Sequence, residues 1–443
     1  MNRIKFAAVT ALIVSNAALA QQQQQREAIQ IAQQAQQGAQ QVLQNQTGQQ
    51  IAQQLVPAQQ VENAQPAGGD GLPPTPERIA PPRPIEPGDR IVELALCLDT
   101  SGSMDGLINA ARVKLWEIVN DLALAKPTPR LRVALLTYGN DGHNAENGWV
   151  NIDVAFTEDL DLVSQRLFAL TTNGGTELVG RVLKSAGEKL DWNASDDVLK
   201  LIVVAGNETA DQDQVFNYRD VCKATISKGV MINSIYCGNV ADDIAPGWKE
   251  VSTLADGHFA SIDQNNGTIT IATPFDDELV TLSAAMNTTY IAFGAQGEWA
   301  SSNQAAQDAN AAGVGKAVAA QRAVTKGGQM YCNAQWDLVD ACRQAEFKIE
   351  DVKTEDLPEN MRTMTMEQRK AYVAEMDKKR AEMQTKVNDL NTKRSQYVEA
   401  EMKKMADAGS KSFDAAIRTA IRAQAASKGF KFEEPKPLVS SGN

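Results

Sequence analysis

Histidine is almost missing from this chain of 443 residues: His143, in a polar loop, and His258, at the start of a strand, are the two it has. That excludes a zinc site built on several imidazoles. Other reaction centres are missing as well. Ser101 and Ser103 stand in TSGSM, without the Gly-x-Ser-x-Gly setting of a nucleophile elbow, and no lysine follows Gly174 and Gly175, so no phosphate-binding loop forms there. These absences lead us to expect no enzyme. Positive charge is short too: 43 Lys and Arg against 55 Asp and Glu leave a formal charge of -12 and a pI near 4.9. A chain that repels phosphate on average is not a general nucleic-acid binder. Aromatic residues are sparse at 5%, yet 43% hydrophobic content is enough for at least one substantial core, and the length allows two or three domains.

The one strongly apolar run near the N-terminus is too short to cross a bilayer. Arg3 and Lys5 precede FAAVTALIV, and Ala18-Leu19-Ala20 follows. This is the layout of a secretory signal peptide with a small-residue cleavage site. Residues 1–20 are therefore expected to be removed, giving an exported protein, periplasmic or secreted, with no transmembrane segment. Residues 21–88 read as a disordered linker, Gln- and Ala-rich to about Gln65 and then Pro-rich through PPTP, PPRP and EPGD.

Ile91 to Leu98 is an aliphatic run bounded by Pro and Gly before it and a Ser/Gly turn after it, the pattern of a fully buried strand. Its end carries Asp99, Ser101 and Ser103, two residues apart. In open α/β sheets, ligands bind outside the carboxyl ends of the strands. One carboxylate and two hydroxyls converging there make a set of hard oxygens suited to Mg2+. Strands and helices then alternate over 89–275: a helix over 105–125, a strand at Leu131–Tyr138, an antiparallel edge strand at Trp149–Phe156, helices at Asp159–Leu170 and Glu177–Leu190, and a buried strand at Val198–Ala205. A helix at Asp213–Ser227, strand Val230–Cys237, helix Trp248–Ala255 and strand His258–Ile262 complete the series. This predicts an α/β fold with a doubly wound, mainly parallel sheet and one antiparallel edge.

Asp-x-Ser-x-Ser at the end of a buried strand resembles the metal-ion-dependent adhesion site of von Willebrand factor type A domains, and the element order over 89–275 is similar to that family. The resemblance implies that Thr176, in TNGGTELVG, is a further metal ligand and that Mg2+ or Mn2+ is the cofactor. It also implies a protein ligand whose acidic side chain completes the coordination. The third loop departs from the family: its Asp falls here on Ala205 or Gly206, and Asn207 or Glu208 is the substitute oxygen. With one carboxylate fewer, the site is expected to bind metal weakly alone and to tighten with a partner. The alternative is a metal-independent envelope scaffold that uses the C-terminal helices.

Cys97 reads as a small buried hydrophobe. Cys222, in a helix, and Cys237, at the end of the next strand, form a disulfide candidate; Cys332 and Cys342, ten apart around a helical run, would need a break in that helix to pair. Residues 276–345 read as an Ala/Gln-rich helical region, weakly packed over Gly294–Lys326, with an apolar anchor at Trp336, Leu338, Val339, Ala341 and Cys342. In 346–443, Thr365, followed by Glu367 and Gln368, opens a long charged helix to about Ala406. There Val373, Met376, Met383, Val387, Leu390 and Tyr397 follow a seven-residue repeat that Arg380, Arg394 and Glu401 interrupt. The repeat suggests a weak coiled coil and helix-mediated self-association, packing on another helix of the chain, or a solvated single helix. Phe413, Ile417 and Ile421 mark one more amphipathic helix.

Overall fold

The computed structural model describes residues 89–104, 108–262, 271–407 and 413–432. The signal-like segment, the linker and the polar tail lie outside them. Residues 281–289 group apart from the compact unit that holds the other described residues.

In chain order the α/β part comprises β1 (Ile91–Asp99), α1 (Ile108–Ala123), β2 (Ala125–Lys126), β3 (Arg130–Tyr138), β4 (Val150–Thr157), α2 (Leu160–Phe168), α3 (Val179–Lys189), β5 (Leu199–Gly206), α4 (Tyr218–Ile226), β6 (Val230–Tyr236), α5 (Ala245–Thr253) and β7 (Phe259–Ser261). Six strands form one sheet in the order β4-β3-β1-β5-β6-β7, parallel except for β4, which runs against β3. β1 is central and every residue of it is buried, because helices cover both faces; that is why its sequence is a near-continuous apolar run. Side chains alternate between two cores. Val92, Leu94, Leu96 and Leu98 join Trp116 and Val119 of α1 and Val163 of α2. Ala95 and Cys97 join Val182 of α3, Tyr218 of α4 and Trp248 of α5.

The same alternation overturns the disulfide expected between Cys222 and Cys237. The two are not bonded: Cys222 packs in the core under α3 to α5, whereas Cys237, one residue beyond Tyr236, points into the other core. The sheet separates them, and burial pushes each thiol up to about 12. The helix expected from Asp213 begins only at Tyr218, because the Asp213 carboxylate accepts the N–H groups of Val215 and Phe216 (2.9 and 3.0 Å) and holds that stretch in a turn. His143 is half-buried, with Nε2 2.9 Å from Thr137 Oγ1, and His258 is exposed.

The remaining elements are α6 (Asp276–Asn287), α7 (Gly297–Val314), α8 (Lys316–Gly327), α9 (Leu338–Cys342), α10 (Glu359–Arg362), α11 (Met366–Asp407), α12 (Phe413–Ser427) and β8 (Lys431–Phe432). The weak packing expected over Gly294–Lys326 does not hold for α8, where Ala317 to Gly327 are all buried, whereas most of α7 is not. Alanines let α8 approach α1 closely, where Asn120 donates to the Gln321 carbonyl (2.9 Å) and accepts from Thr325 Oγ1 (2.6 Å). Arg322 and Lys326 of α8 meet Asp161 and Asp308 at 2.6 to 3.0 Å, and the Arg322 guanidinium lies 5.0 Å from the Trp116 ring centroid.

Thr365 and Gln368 cap the start of α11 reciprocally, at 2.8 and 3.3 Å. Val373, Met376, Val387 and Leu390 of its repeat are buried within the chain, while Tyr397 is exposed. Val373 and Met376 pack with Leu338, Val339 and Met361. Arg380 lies over the Tyr290 ring at 3.9 Å and places Nη1 2.6 Å from Asp337 and 2.8 Å from Asp340. Arg394 Nε is 3.0 Å from Asp276. Two of the three residues that break the repeat, Arg380 and Arg394, thus pin the helix. On α12, Ile421 and Ala425 close the first core with Phe430, Arg422 pairs with Asp121 at 2.6 Å, and β8 pairs antiparallel with β2. Among the described residues, no helix is long and apolar enough to cross a membrane.

Candidate metal centre

β1 ends at Asp99, where Oδ1 accepts the Ser101 N–H at 2.8 Å and turns the chain back on itself. That turn brings the hydroxyls of Ser101 and Ser103 to 2.9 Å from each other, and Ser103 Oγ donates to Asn207 Oδ1, just past β5, at 3.1 Å. The second loop is laced to this turn by backbone. Gly102 N–H reaches the Gly174 carbonyl, and Asn173 N–H the Thr100 carbonyl, both at 3.0 Å. Thr176 bridges Gly139 at the end of β3 and is half-buried.

The next residue, Glu177, turns inward. It is 3% exposed, against 0% for Asp99, and its side chain shares with that of Asp99 the space beside Gly139. Gly139 makes room for both acids: with φ at 78°, a Cβ there would stand 2.8 Å from Asp99 Oδ1 and 3.0 Å from Glu177 Cγ.

Asn207 reaches the serines. Glu208 is exposed, and its backbone carbonyl is held by Trp248 Nε1 at 2.7 Å. The structure also explains the missing third-loop carboxylate. A Cβ on Gly206 would fall 2.4 Å from Tyr138 Oη and 3.0 Å from the Trp248 ring, and Tyr138, wholly buried, donates to the Ala205 carbonyl at 3.0 Å. The tyrosine and the tryptophan occupy the space a side chain would need.

Burial pushes both carboxyls up. Glu177 rises to about 9, first by desolvation and then by the charge of Asp99, and Asp99 is raised mainly by desolvation. Glu208 adds a further negative field at both. Asp99 Oδ2 and Glu177 Oε2 are buried with no donor reaching them. Two carboxylates in contact cannot both stay ionised alone; a proton or a cation must lie between them. Among the described residues no three His, Cys, Asp or Glu cluster as metal ligands, so the donors here are two carboxylates with hydroxyl and amide oxygens. That set fits a hard divalent cation.

No family model and no curated relative matches the sequence, so its likeness to known proteins is structural. Among solved structures, the chain is similar to the conserved hypothetical protein BatB from Bacteroides thetaiotaomicron, at 15% identity over 39% of this chain and 90% of that one, with a TM-score of 0.30. It is also similar to a von Willebrand factor type A protein from Catenulispora acidiphila, at 16% identity over 40% of each chain and a TM-score of 0.30. A third is proximal thread matrix protein 1 from the mussel byssus, at 12% identity over 40% of this chain and 43% of that one, with a TM-score of 0.33. What decides the fold is the chain's own sheet: six strands in the order β4-β3-β1-β5-β6-β7, one antiparallel edge, and helices on both faces. It is a von Willebrand factor type A fold.

Within this fold, sequence reasoning placed Asp99, Ser101, Ser103, Thr176, Asn207 and Glu208 at the mouth of the sheet. The structure joins Asp99, Ser101, Ser103 and Asn207 by hydrogen bonds, sets Thr176 alongside through Gly139, and leaves Glu208 on the rim. Sequence reasoning missed Glu177 and the two bulky residues that close the third loop. The signal for Glu177 was present: it directly follows Thr176, at the point where the loop turns into α3.

Proposed function

We propose that this chain is an exported protein-binding module whose A-domain captures its partner through a divalent cation, Mg2+ or Mn2+. The observation that carries the reading is Asp99 at the strand end: one oxygen is fixed by Ser101 N–H and the other is buried without a donor, beside two serine hydroxyls and the Asn207 amide. Asp99, Ser101, Ser103 and Thr176 would hold the ion, with Asn207 at the rim. The ion would supply a Lewis-acidic point for an acidic side chain of the partner, because Mg2+ keeps several waters that a better oxygen can displace. No reaction is assigned: the ring of His143 is engaged with Thr137, whose hydroxyl donates to Asp153 at 2.7 Å, away from the serines. A scaffold acting through the C-terminal helices has less support, because Val373, Met376, Val387 and Leu390 of the repeat on α11 are buried within the chain.

The test is calorimetric titration of Mg2+ and Mn2+ into the full chain, with and without an acidic peptide. Binding is expected in the wild type, and Asp99→Ala is expected to abolish it with little loss of fold, since the carboxylate ends a strand at the sheet mouth. No heat in any arm, or equal binding by Asp99→Ala, would overturn the proposal.

A further inference from the structure

We infer that Glu177 is a direct ligand of the cation and supplies, from the second loop, the negative charge that the third loop lacks at Ala205 and Gly206. The inference rests on the metal-centre reading and changes what that centre is: a site of two carboxylates.

The other buried acids set the pattern from which this pair departs. Among the described residues, Glu93, Asp121, Asp161, Asp213, Asp276, Asp337 and Asp340 are also buried. Each of them faces an arginine: Arg132, Arg422, Arg322, Arg181, Arg394 and, for the last two, Arg380. Burying a carboxylate costs several kcal/mol unless an opposite charge offsets it, and the chain meets that cost with a guanidinium in every one of these cases. Asp99 and Glu177 instead face each other, and the next charge acting on them, Glu208, is negative too. An opposite charge from outside the chain restores the pattern seen at these other acids.

The geometry says where that charge enters. Asp99 Oδ2 and Glu177 Oε2 are both buried with no donor reaching them, and Ser101, whose N–H the Asp99 carboxylate accepts, holds its hydroxyl 2.9 Å from that of Ser103. Tyr138 and Trp248 block a side chain at Gly206, so a second carboxylate cannot stand at that position. Gly139, by lacking a Cβ, leaves room for Glu177 to lie against Asp99. Two negative charges match a divalent ion, so the centre binds metal without help from a partner. This revises the weak, partner-dependent site expected when only Asp99 was counted.

The test is titration of Mn2+ into the full chain by calorimetry, with the electron paramagnetic resonance of free Mn2+ as an independent readout and melting in chelator as a third. Wild type is expected to take up the ion alone. Glu177→Gln should weaken uptake by at least the roughly 10- to 100-fold that loss of a supporting residue costs at metal sites. Glu177→Asp, which keeps the charge, should recover part of it, and Asn207→Ala should cost less than Glu177→Gln. In chelator, Glu177→Gln should melt higher than wild type, because a buried acid facing another acid is gone; Mn2+ should raise the melting temperature of wild type by more than that of the variant. If wild type binds Mn2+ and Glu177→Gln binds it equally well, Glu177 is not a ligand and the metal centre stands without it. If wild type binds no Mn2+ or Mg2+, the metal-centre reading itself fails.

Discussion

Two buried charged regions of this molecule are built on opposite rules. Under α11, Arg380 is enclosed by Asp337, Asp340 and the Tyr290 ring, and under α8, Arg322 and Lys326 meet Asp161 and Asp308. At the mouth of the sheet, Asp99 and Glu177 are as deeply buried and have only each other. The first arrangement is closed: every charge is answered by the chain, so its work is to fix where helices lie. The second is open, and on our proposal a cation from outside the chain completes it. Burial alone therefore does not mark a functional carboxylate; burial beside a like charge does.

The largest effect should come from opening a closed region. Arg380→Ala leaves two acids buried without their cation, and urea unfolding should show a loss of about 3–5 kcal/mol. A loss below about 1 kcal/mol would mean that α11 is held by Val373 and Met376 alone, and the contrast between the regions would dissolve.

A smaller effect separates the regions by pH. In chelator, the Glu177 carboxyl titrates at about 9 in the folded protein against 4.5 as the ordinary value. Since the folded value is the higher one, its contribution is present in full below 4.5 and is lost as pH rises toward about 9. The melting temperature of the metal-free wild type should therefore fall over that range relative to Glu177→Gln, and saturating Mn2+ should remove the difference. Parallel pH profiles for the two proteins in chelator would show that the sheet mouth carries no such imbalance.

The smallest effect is the control. Lys379, one residue before Arg380, pairs with Glu375 at 2.8 Å, and both side chains are more than half exposed. Lys379→Ala should leave the melting temperature unchanged, because solvent screens such a pair. A shift comparable to that of Arg380→Ala would show that position along α11 matters and burial does not.

How much could be read from the sequence depends on how far apart the interacting residues are. β1 was legible because a strand covered on both faces is apolar throughout, and Asp99, Ser101 and Ser103 because one short turn gathers them. Glu177 was not, since the residues that admit it and close off the alternative, Gly139, Gly206 and Trp248, belong to other strands and helices. Arg380 and Arg394 read as faults in a repeat because their acids lie 43, 40 and 118 residues away. The pairing of Cys222 with Cys237 failed for a local reason: adjacency in sequence says nothing about which face of a strand a side chain takes, and Tyr236 and Cys237 take opposite ones.

The pairing of β8 with β2 gives the domain a mechanical polarity. Ala125 lies opposite Phe432, Arg90 donates to the Lys428 carbonyl, and its guanidinium stands 5.1 Å from the Phe430 ring centroid. Both ends of the described chain are thus clasped at one pole, and Asp99 lies at the far end of the nine-residue β1, about 30 Å away at the usual rise per residue. Tension applied through residues 89 and 432 is borne by this clasp and does not pass along β1. Tension arriving from a partner at the sheet mouth would run down β1 between its two parallel neighbours, shearing whole ladders of hydrogen bonds at once.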